Sequence, residues 1–122
     1  DVLRSPDREE YTRILFFRNR GFRTPRGTQS LISIDSSRSS TAADVRCRAP
    51  ETAPVYLGND EPLQLRVFVD KSVVEVFVNG KQCVALRVYP DRDDSLGVSL
   101  RAQGRDAQLK SIDAWQMDNI YE

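Results

Sequence analysis

The stretch from Leu63 to Tyr89, LQLRVFVDKSVVEVFVNGKQCVALRVY, decides the fold because apolar and polar residues alternate in it with a period of two. That period places successive side chains on opposite faces of a β-strand. One apolar set lies in residues 63–69 and a second in residues 74–78. The two sets share a face when a loop of two or four residues, centred on Lys71 and Ser72, connects them. The stretch therefore opens with a predicted β-hairpin.

The next turn contains Asn79-Gly80, a dipeptide typical of tight hairpins. A two-residue loop here would bury Arg87, whereas an odd number of loop residues aligns the apolar residues of the third strand with the earlier valines. We therefore predict a three-residue loop with Gly80 in the left-handed conformation at a bulge. The predicted core face of this three-stranded sheet consists of Val67, Val69, Val74, Val76, Val84, Leu86 and Val88.

Weaker signals flank this sheet on both sides. Residues 10–19 and 30–35 predict two earlier strands, and residues 36–62 are typical of loop, with a short strand near 44–48. Two closing strands are predicted at 96–100 and 107–117. Trp115 on the last of them is predicted as core, with a sugar-stacking platform formed with Met117 as the alternative.

About eight short strands separated by turns, and no segment with helical periodicity, predict an all-β domain. We expect an antiparallel β-sandwich of two packed sheets, of jelly-roll or concanavalin-like type. The domain is predicted at residues 10–122, preceded by a linker or ragged terminus at residues 1–9.

Composition argues against several classes of partner and cofactor. The formal charge is zero, and residues 11–48 hold eight arginines against two acids. These arginines alternate with apolar residues as solvent-facing strand positions do, so we expect no nucleic acid partner. No apolar run has membrane-spanning length, so we expect no membrane partner. Cys47 and Cys83, in a chain without histidine, favour reduced residues over a zinc site, with a single disulfide as the alternative.

Acidic residues form two candidate sites, one catalytic and one for calcium, and we expect neither to be functional. Asp70 and Glu75 are a candidate glycosidase pair, but a sheet face has no pocket to exclude water. The Asp91, Asp93 and Asp94 loop is better explained as a polar turn than as a calcium site, because it lacks the spacing of a calcium-binding loop. We therefore predict no catalytic residue, no metal and no cofactor.

The outward face of the central sheet carries three aromatic residues, which is unusual for a surface exposed to solvent. Arg66, Phe68, Phe77 and Tyr89 are therefore predicted to form an inter-domain contact. The alternative is that a loop of the same domain, within residues 36–62, covers them.

Residues 63–81, LQLRVFVDKSVVEVFVNGK, closely resemble the C-terminal β-sandwich domain of glycoside hydrolase family 32, which contains invertases, inulinases and levanases. The run Val69-Asp70, a short polar turn, Val74-Glu75-Val76-Phe77 and an Asn-containing turn carries the resemblance. Weaker similarity extends to IDSSRSS at residues 34–40 and LKSIDAW at residues 109–115.

The resemblance implies a fragment of a β-fructofuranosidase whose catalytic carboxylates lie in an N-terminal β-propeller. The family's catalytic motifs, a WMNDPNG-like stretch, an RDP triplet and a Glu-Cys dipeptide, are absent from this sequence. We therefore expect a non-catalytic domain that supports stability or oligomerisation, with the propeller as partner and a homodimer as a further assembly. A carbohydrate-binding module or lectin-like domain is the alternative.

Overall fold

The computed structural model describes residues 1–118, and within that range the chain forms eight strands and no helix. The strands pair only antiparallel, in sheets of order β1-β4-β5, β2-β3 and β6-β7-β8. Their bounds are β1 Arg13–Phe17, β2 Arg23–Thr24, β3 Gly27–Thr28, β4 Ser30–Asp35, β5 Glu51–Val55, β6 Leu65–Asp70, β7 Val73–Val78 and β8 Gln82–Arg87. The all-β class predicted from the sequence is confirmed, although the last four residues of the predicted domain lie outside the described range.

The β6-β7-β8 sheet has the predicted register. Asp70 pairs with Val73 across a two-residue turn, and Val78 pairs with Gln82 across a three-residue turn. Gly80 in the second turn has a φ of 65°, the left-handed conformation that glycine adopts without steric cost. Both turn lengths keep one set of apolar side chains on a single face.

The two three-stranded sheets pack face to face, which makes the domain a β-sandwich. Ile32 and Ile34 on β4 are fully buried in one cluster with the valines of β7 and β8, because these strands alternate with a period of two. Ile14 and Phe16 on β1 flank them from the neighbouring strand. The buried hydrophobic cluster comprises Val2, Ile32, Ile34, Val55, Val74, Val76, Val78, Val84, Leu86 and Val88.

Two residues predicted for this core, Val67 and Val69, are not buried. They lie on the core-side face, opposite Val76 and Val74, yet are 37% and 44% exposed. The reason is that β6 is an edge strand, so no neighbour shields its far side. The prediction was right about the face and wrong about the burial.

The structure also corrects the strand assignment around residues 36–62. No strand forms near residues 44–48, and β5 begins at Glu51 within the stretch predicted as mostly loop. β5 contains Pro54, which lacks a backbone donor and lowers strand propensity. Its edge position in the β1-β4-β5 sheet tolerates that residue.

Neither predicted closing strand forms among the described residues. Between residues 96 and 118 the only β-bridge joins Gly97 to Arg4, and Trp115, predicted as core, is 82% exposed. Leu109, Ile112 and Trp115 recur every three residues, so an extended backbone cannot place them on one face.

The predicted linker at residues 1–9 is packed against the domain instead. Val2 exchanges two backbone hydrogen bonds with Thr12, and Arg4 exchanges two with Gly97. A Cβ on Gly97 would lie 2.9 Å from the Arg4 carbonyl oxygen, so only glycine permits this close approach. Val2 and Ser5 are buried as a result.

The Glu10 side chain joins three segments of the domain. It is fully buried, and its carboxylate accepts hydrogen bonds from the Ser95 hydroxyl at 2.6 Å and from the Thr41 amide at 2.8 Å. The amides of Asp91 and Arg92 donate two more, at 2.9 and 3.1 Å. Burial raises the pKa of Glu10, but these donors outweigh it and lower the pKa to about 2.

Arg92 reinforces the same junction at the surface. Its guanidinium binds Asp7 at 2.6 Å and Asp94 at 2.7 Å, which holds the pKa of both carboxyl groups below their ordinary range. Asp94, predicted as part of a polar turn, is therefore engaged in an ion pair. No group of acidic or cysteine side chains within residues 1–118 has an arrangement that could hold a metal ion.

We predict that Val76→Asp prevents folding whereas Val67→Asp does not. Val76 is fully buried, so an unpaired carboxylate there costs several kcal/mol out of a total stability of about 5–15 kcal/mol. Val67 is its cross-strand neighbour and reaches solvent. Circular dichroism melting curves of the two variants provide the measurement. A cooperative melt for Val76→Asp would show that the core lies on the other face.

We predict that Glu10→Gln destabilises the domain at pH 7 and that the deficit disappears in acid. Because the folded pKa of Glu10 lies below its ordinary value of 4.5, its contribution is complete above that pH and is lost as pH falls toward 2. At about 1.36 kcal/mol per pKa unit, the deficit is about 3 kcal/mol. Urea unfolding at several pH values measures it, with the exposed neighbour Glu9→Gln as the control. A pH-independent deficit would contradict the assignment.

Candidate inter-domain surface

The outer face of the β6-β7-β8 sheet is formed by the residues that alternate with the buried valines. Strand pairing places Arg66 opposite Phe77 and Phe68 opposite Glu75. Phe77 is in turn opposite Cys83 on β8. Phe68 is two residues along β6 from Arg66, the partner of Phe77, and points to the same side of the sheet. Phe68 and Phe77 are therefore diagonal neighbours in the middle of this face.

Phe68 and Phe77 form an edge-to-face pair with ring centroids 5.7 Å apart and an interplanar angle of 89°. This geometry is the one that the quadrupoles of two rings favour. Phe77 is half-buried, and Phe68 remains 41% exposed. Tyr89 has the same strand parity but follows the end of β8, and it is 53% exposed. The structure therefore brings the two phenylalanines together and leaves Tyr89 at the margin.

The alternative prediction, that a loop within residues 36–62 covers these aromatics, is wrong for the described residues. Phe68 and Tyr89 both keep a substantial part of their surface in solvent. The charged neighbours also stay separate, since the ion pairs found among residues 1–118 include none with Arg66, Glu75 or Arg87. The face is apolar at its centre and has unpaired charges around it.

Asp70 and Glu75 share this open face, which offers no enclosure around them. Asp70 is exposed at the end of the edge strand, and Glu75 is half-buried between Phe68 and Ala85. A general acid needs surroundings that exclude water, and this open face does not provide them.

Cys47 and Cys83 are both free and exposed. Cys83 lies on this outer face, opposite Phe77, whereas Cys47 lies in the long connection before β5. The structure thus places the two thiols in different parts of the domain and joins them by no disulfide.

A second exposed feature, which the sequence reasoning missed, lies on the other sheet. A shallow pocket of about 520 Å³ is lined by Arg20, Phe22, Leu31 and Pro54 together with their neighbours. Phe22 is 83% exposed at the small β2-β3 hairpin. The sequence feature that could have revealed this pocket is Leu31, an apolar residue at an outward-facing position of β4, where it pairs with Pro54 on β5.

No helix within the described residues is long and apolar enough to cross a membrane.

Comparison with known proteins accounts for nearly the whole chain. Residues 1–116 match the family described as glycosyl hydrolases family 32 C terminal. The chain belongs to this family. The match begins at residue 1, so it includes the segment 1–9 that was predicted as a linker. In the structure this segment forms β-bridges to Thr12 and Gly97.

Curated relatives of this family 32 domain are much longer than the chain. An insoluble isoenzyme 2 β-fructofuranosidase of Daucus carota is 35% identical over 121 residues, which cover 95% of this chain and 20% of the relative. β-Fructofuranosidase 1 of Zea mays is 35% identical over 126 residues, which cover 98% of this chain and 18% of the relative. A levanbiose-producing levanase of Bacillus subtilis is 34% identical over 73 residues, which cover 59% of this chain and 14% of the relative. The chain thus spans about a fifth of the length of the first two relatives.

Proposed function

We propose that this chain is the non-catalytic C-terminal β-sandwich of a family 32 glycoside hydrolase that cleaves sucrose or fructan. Its partner is an N-terminal catalytic β-propeller of the same polypeptide, and its role is to stabilise that enzyme. The observation that carries the proposal is the match to the family's C-terminal region together with coverage of only about a fifth of each β-fructofuranosidase relative.

The distribution of carboxylates supports a non-catalytic role. A retaining glycosidase needs two carboxyl groups about 5 to 5.5 Å apart in a pocket, one of them with a raised pKa. The enclosed carboxylate of this domain, Glu10, has a lowered pKa and accepts hydrogen bonds from four backbone and hydroxyl donors described above. Asp70 and Glu75 stand on an open face. Neither arrangement provides a proton donor for a leaving group.

The outer face of β6-β7-β8 is the surface that we assign to the propeller contact. Phe68 and Phe77 provide an apolar centre, and Arg66 and Tyr89 provide polar groups at its margin. Interfaces within one polypeptide are commonly of this mixed kind, with aromatic and arginine side chains enriched. A sugar platform instead needs a ring face flanked by hydrogen-bonding groups, whereas here the edge of one phenylalanine points at the face of the other.

We predict that the isolated 122-residue chain releases no fructose from sucrose or levan. The assay compares the chain with its Asp70→Asn, Glu75→Gln double variant, and both should give the background rate. Fructose release by the unmodified chain alone would place catalysis on the sheet. If fructo-oligosaccharides instead shifted the NMR signals of Phe68, Phe77 or Tyr89, a carbohydrate-binding module would replace this proposal.

We predict that Phe77→Ala destabilises a full-length enzyme far more than it destabilises the isolated chain. In isolation Phe77 is half-buried, so its truncation costs less than the 3–5 kcal/mol or so typical of a fully buried phenylalanine. In the full-length enzyme it loses the propeller contact as well. Thermal unfolding of both forms tests this, with the remote, exposed Phe22→Ala as control. Equal losses in the two forms would remove the outer face from the domain interface.

A further inference from the structure

The turn between β7 and β8 contains Asn79-Gly80, the only Asn-Gly dipeptide in the sequence. Asparagine followed by glycine is especially prone to deamidation, because glycine has no side chain to shield its backbone nitrogen from the asparagine amide carbon. Gly80 is exposed, and a Cβ placed on it would meet no heavy atom within 4 Å. The surroundings of Gly80 are therefore open to water.

Deamidation begins when the Gly80 nitrogen, after losing its proton to hydroxide, attacks the side-chain carbonyl carbon of Asn79. A bond forms between that nitrogen and Cγ, the bond from Cγ to Nδ2 breaks, and ammonia leaves with a proton taken from water. The product is a five-membered succinimide ring. Water then opens the ring at either of its two carbonyls, which yields aspartate or isoaspartate. The reaction consumes only water and needs no enzyme.

The folded domain holds Asn79 in three hydrogen bonds to residues 62–64, which we call the Asn79 clamp. The side-chain Nδ2 donates to the Pro62 carbonyl at 2.9 Å, and Oδ1 accepts from the Gln64 amide at 2.7 Å. The Asn79 backbone amide donates to the Gln64 carbonyl at 2.9 Å. Both ends of the side-chain amide are thus bound to one segment, so these bonds must break before the amide can turn toward Gly80.

One bond of the clamp has an opposing chemical effect. The hydrogen bond from the Gln64 amide to Oδ1 draws electron density from Cγ and would stabilise the oxyanion formed on attack. The attack nevertheless requires Cγ to come within bonding reach of the Gly80 nitrogen, and Nδ2 must be free to leave as ammonia. Because two bonds to a single segment fix the plane of the amide, positioning outweighs polarisation.

Residues 62–64 can detach without unfolding of the sandwich. All three are exposed and lead into the edge strand β6, which has a neighbour on one side only. β6 is itself exposed along its whole length, whereas β7 contains three fully buried valines. Local opening costs least where few apolar contacts are lost. The Asn79 clamp is therefore expected to open more often than the domain unfolds.

We propose that Asn79 is a deamidation site that the Asn79 clamp protects in the folded domain and that becomes reactive whenever residues 62–64 detach. The modification also prevents the clamp from re-forming. In aspartate an oxygen replaces Nδ2 and faces the Pro62 carbonyl, so two acceptors oppose each other. In isoaspartate the backbone runs through Cβ and Cγ, which lengthens the three-residue turn that sets the register of β7 and β8. Each deamidated molecule thus records one opening of the β6 edge.

The test incubates the 122-residue chain in mildly alkaline buffer, with and without urea, and follows each asparagine by peptide mass mapping. Asn79 should deamidate about tenfold or more slowly in the folded chain than in urea, since two hydrogen bonds of ordinary net strength favour the clamped state by that factor. Asn59, which is exposed and followed by Asp60, is the internal reference and should react at similar rates in both conditions. Equal rates at Asn79 in both conditions, or no reaction in urea, would overturn the proposal.

Substitutions at residue 64 isolate the contribution of the clamp. Gln64→Pro removes the amide that donates to Oδ1 but keeps the carbonyl that binds the Asn79 amide, so it should raise the rate in the folded chain by about threefold to tenfold. Gln64→Ala keeps that amide and is the matched control, with an unchanged rate. In urea the three chains should react alike. An unchanged rate in Gln64→Pro, with its fold verified by circular dichroism, would contradict the protective role of the clamp.

Glu10→Gln separates local opening from global unfolding. This substitution weakens the junction with the 91–95 turn after β8, at the opposite end of the sheet from Asn79. If the clamp opens locally, Asn79 should deamidate in this variant at the rate of the unmodified chain. A rate that rose in proportion to the lost stability would show that only global unfolding exposes the site, which would overturn the proposal. This measurement does not depend on whether Gln64→Pro folds.

Discussion

The buried carboxylate of Glu10 is the constraint on which the ends of this sandwich depend. It lies between the N-terminal segment and β1 and accepts hydrogen bonds from Thr41, in the connection after β4, and from the 91–95 turn after β8. An isolated carboxylate could not be buried, because its desolvation would cost more than the fold provides. Here backbone amides and the Ser95 hydroxyl replace water. Chain segments 31 to 85 residues apart are thereby fixed to one side chain.

The interior between the sheets is almost entirely β-branched, and this composition suits the geometry. Valine and isoleucine have few rotamers to lose and fit the pleated surface of a strand. Val74, Val76 and Val78 occupy the central strand β7, which has neighbours on both sides and is therefore fully shielded. The same residue type on β6 stays exposed. Burial in this domain is thus set by the position of a strand in its sheet as well as by side-chain parity.

The sequence predicted the central sheet closely because its information is local. The turn lengths at Lys71 and Gly80, and with them the register of three strands, follow from parity within 27 residues. The outer-face residues of the candidate site follow from the same parity. The predictions that were wrong concern segments whose structure depends on partners far away in the sequence. β5 forms despite Pro54 because β4 offers it an edge, and residues 1–4 are ordered because Gly97 and Thr12 bond to them. No local pattern reports those pairings.

The two faces of the β6-β7-β8 sheet have different requirements. The valine face must be apolar for the sheets to pack, so it has no freedom to recognise anything else. The outer face adds little to folding, since Phe68 and Tyr89 remain in solvent and its charges are unpaired. Three aromatic residues kept on such a surface have no evident role within residues 1–118. Their contribution to stability is therefore expected to appear only when another surface covers them.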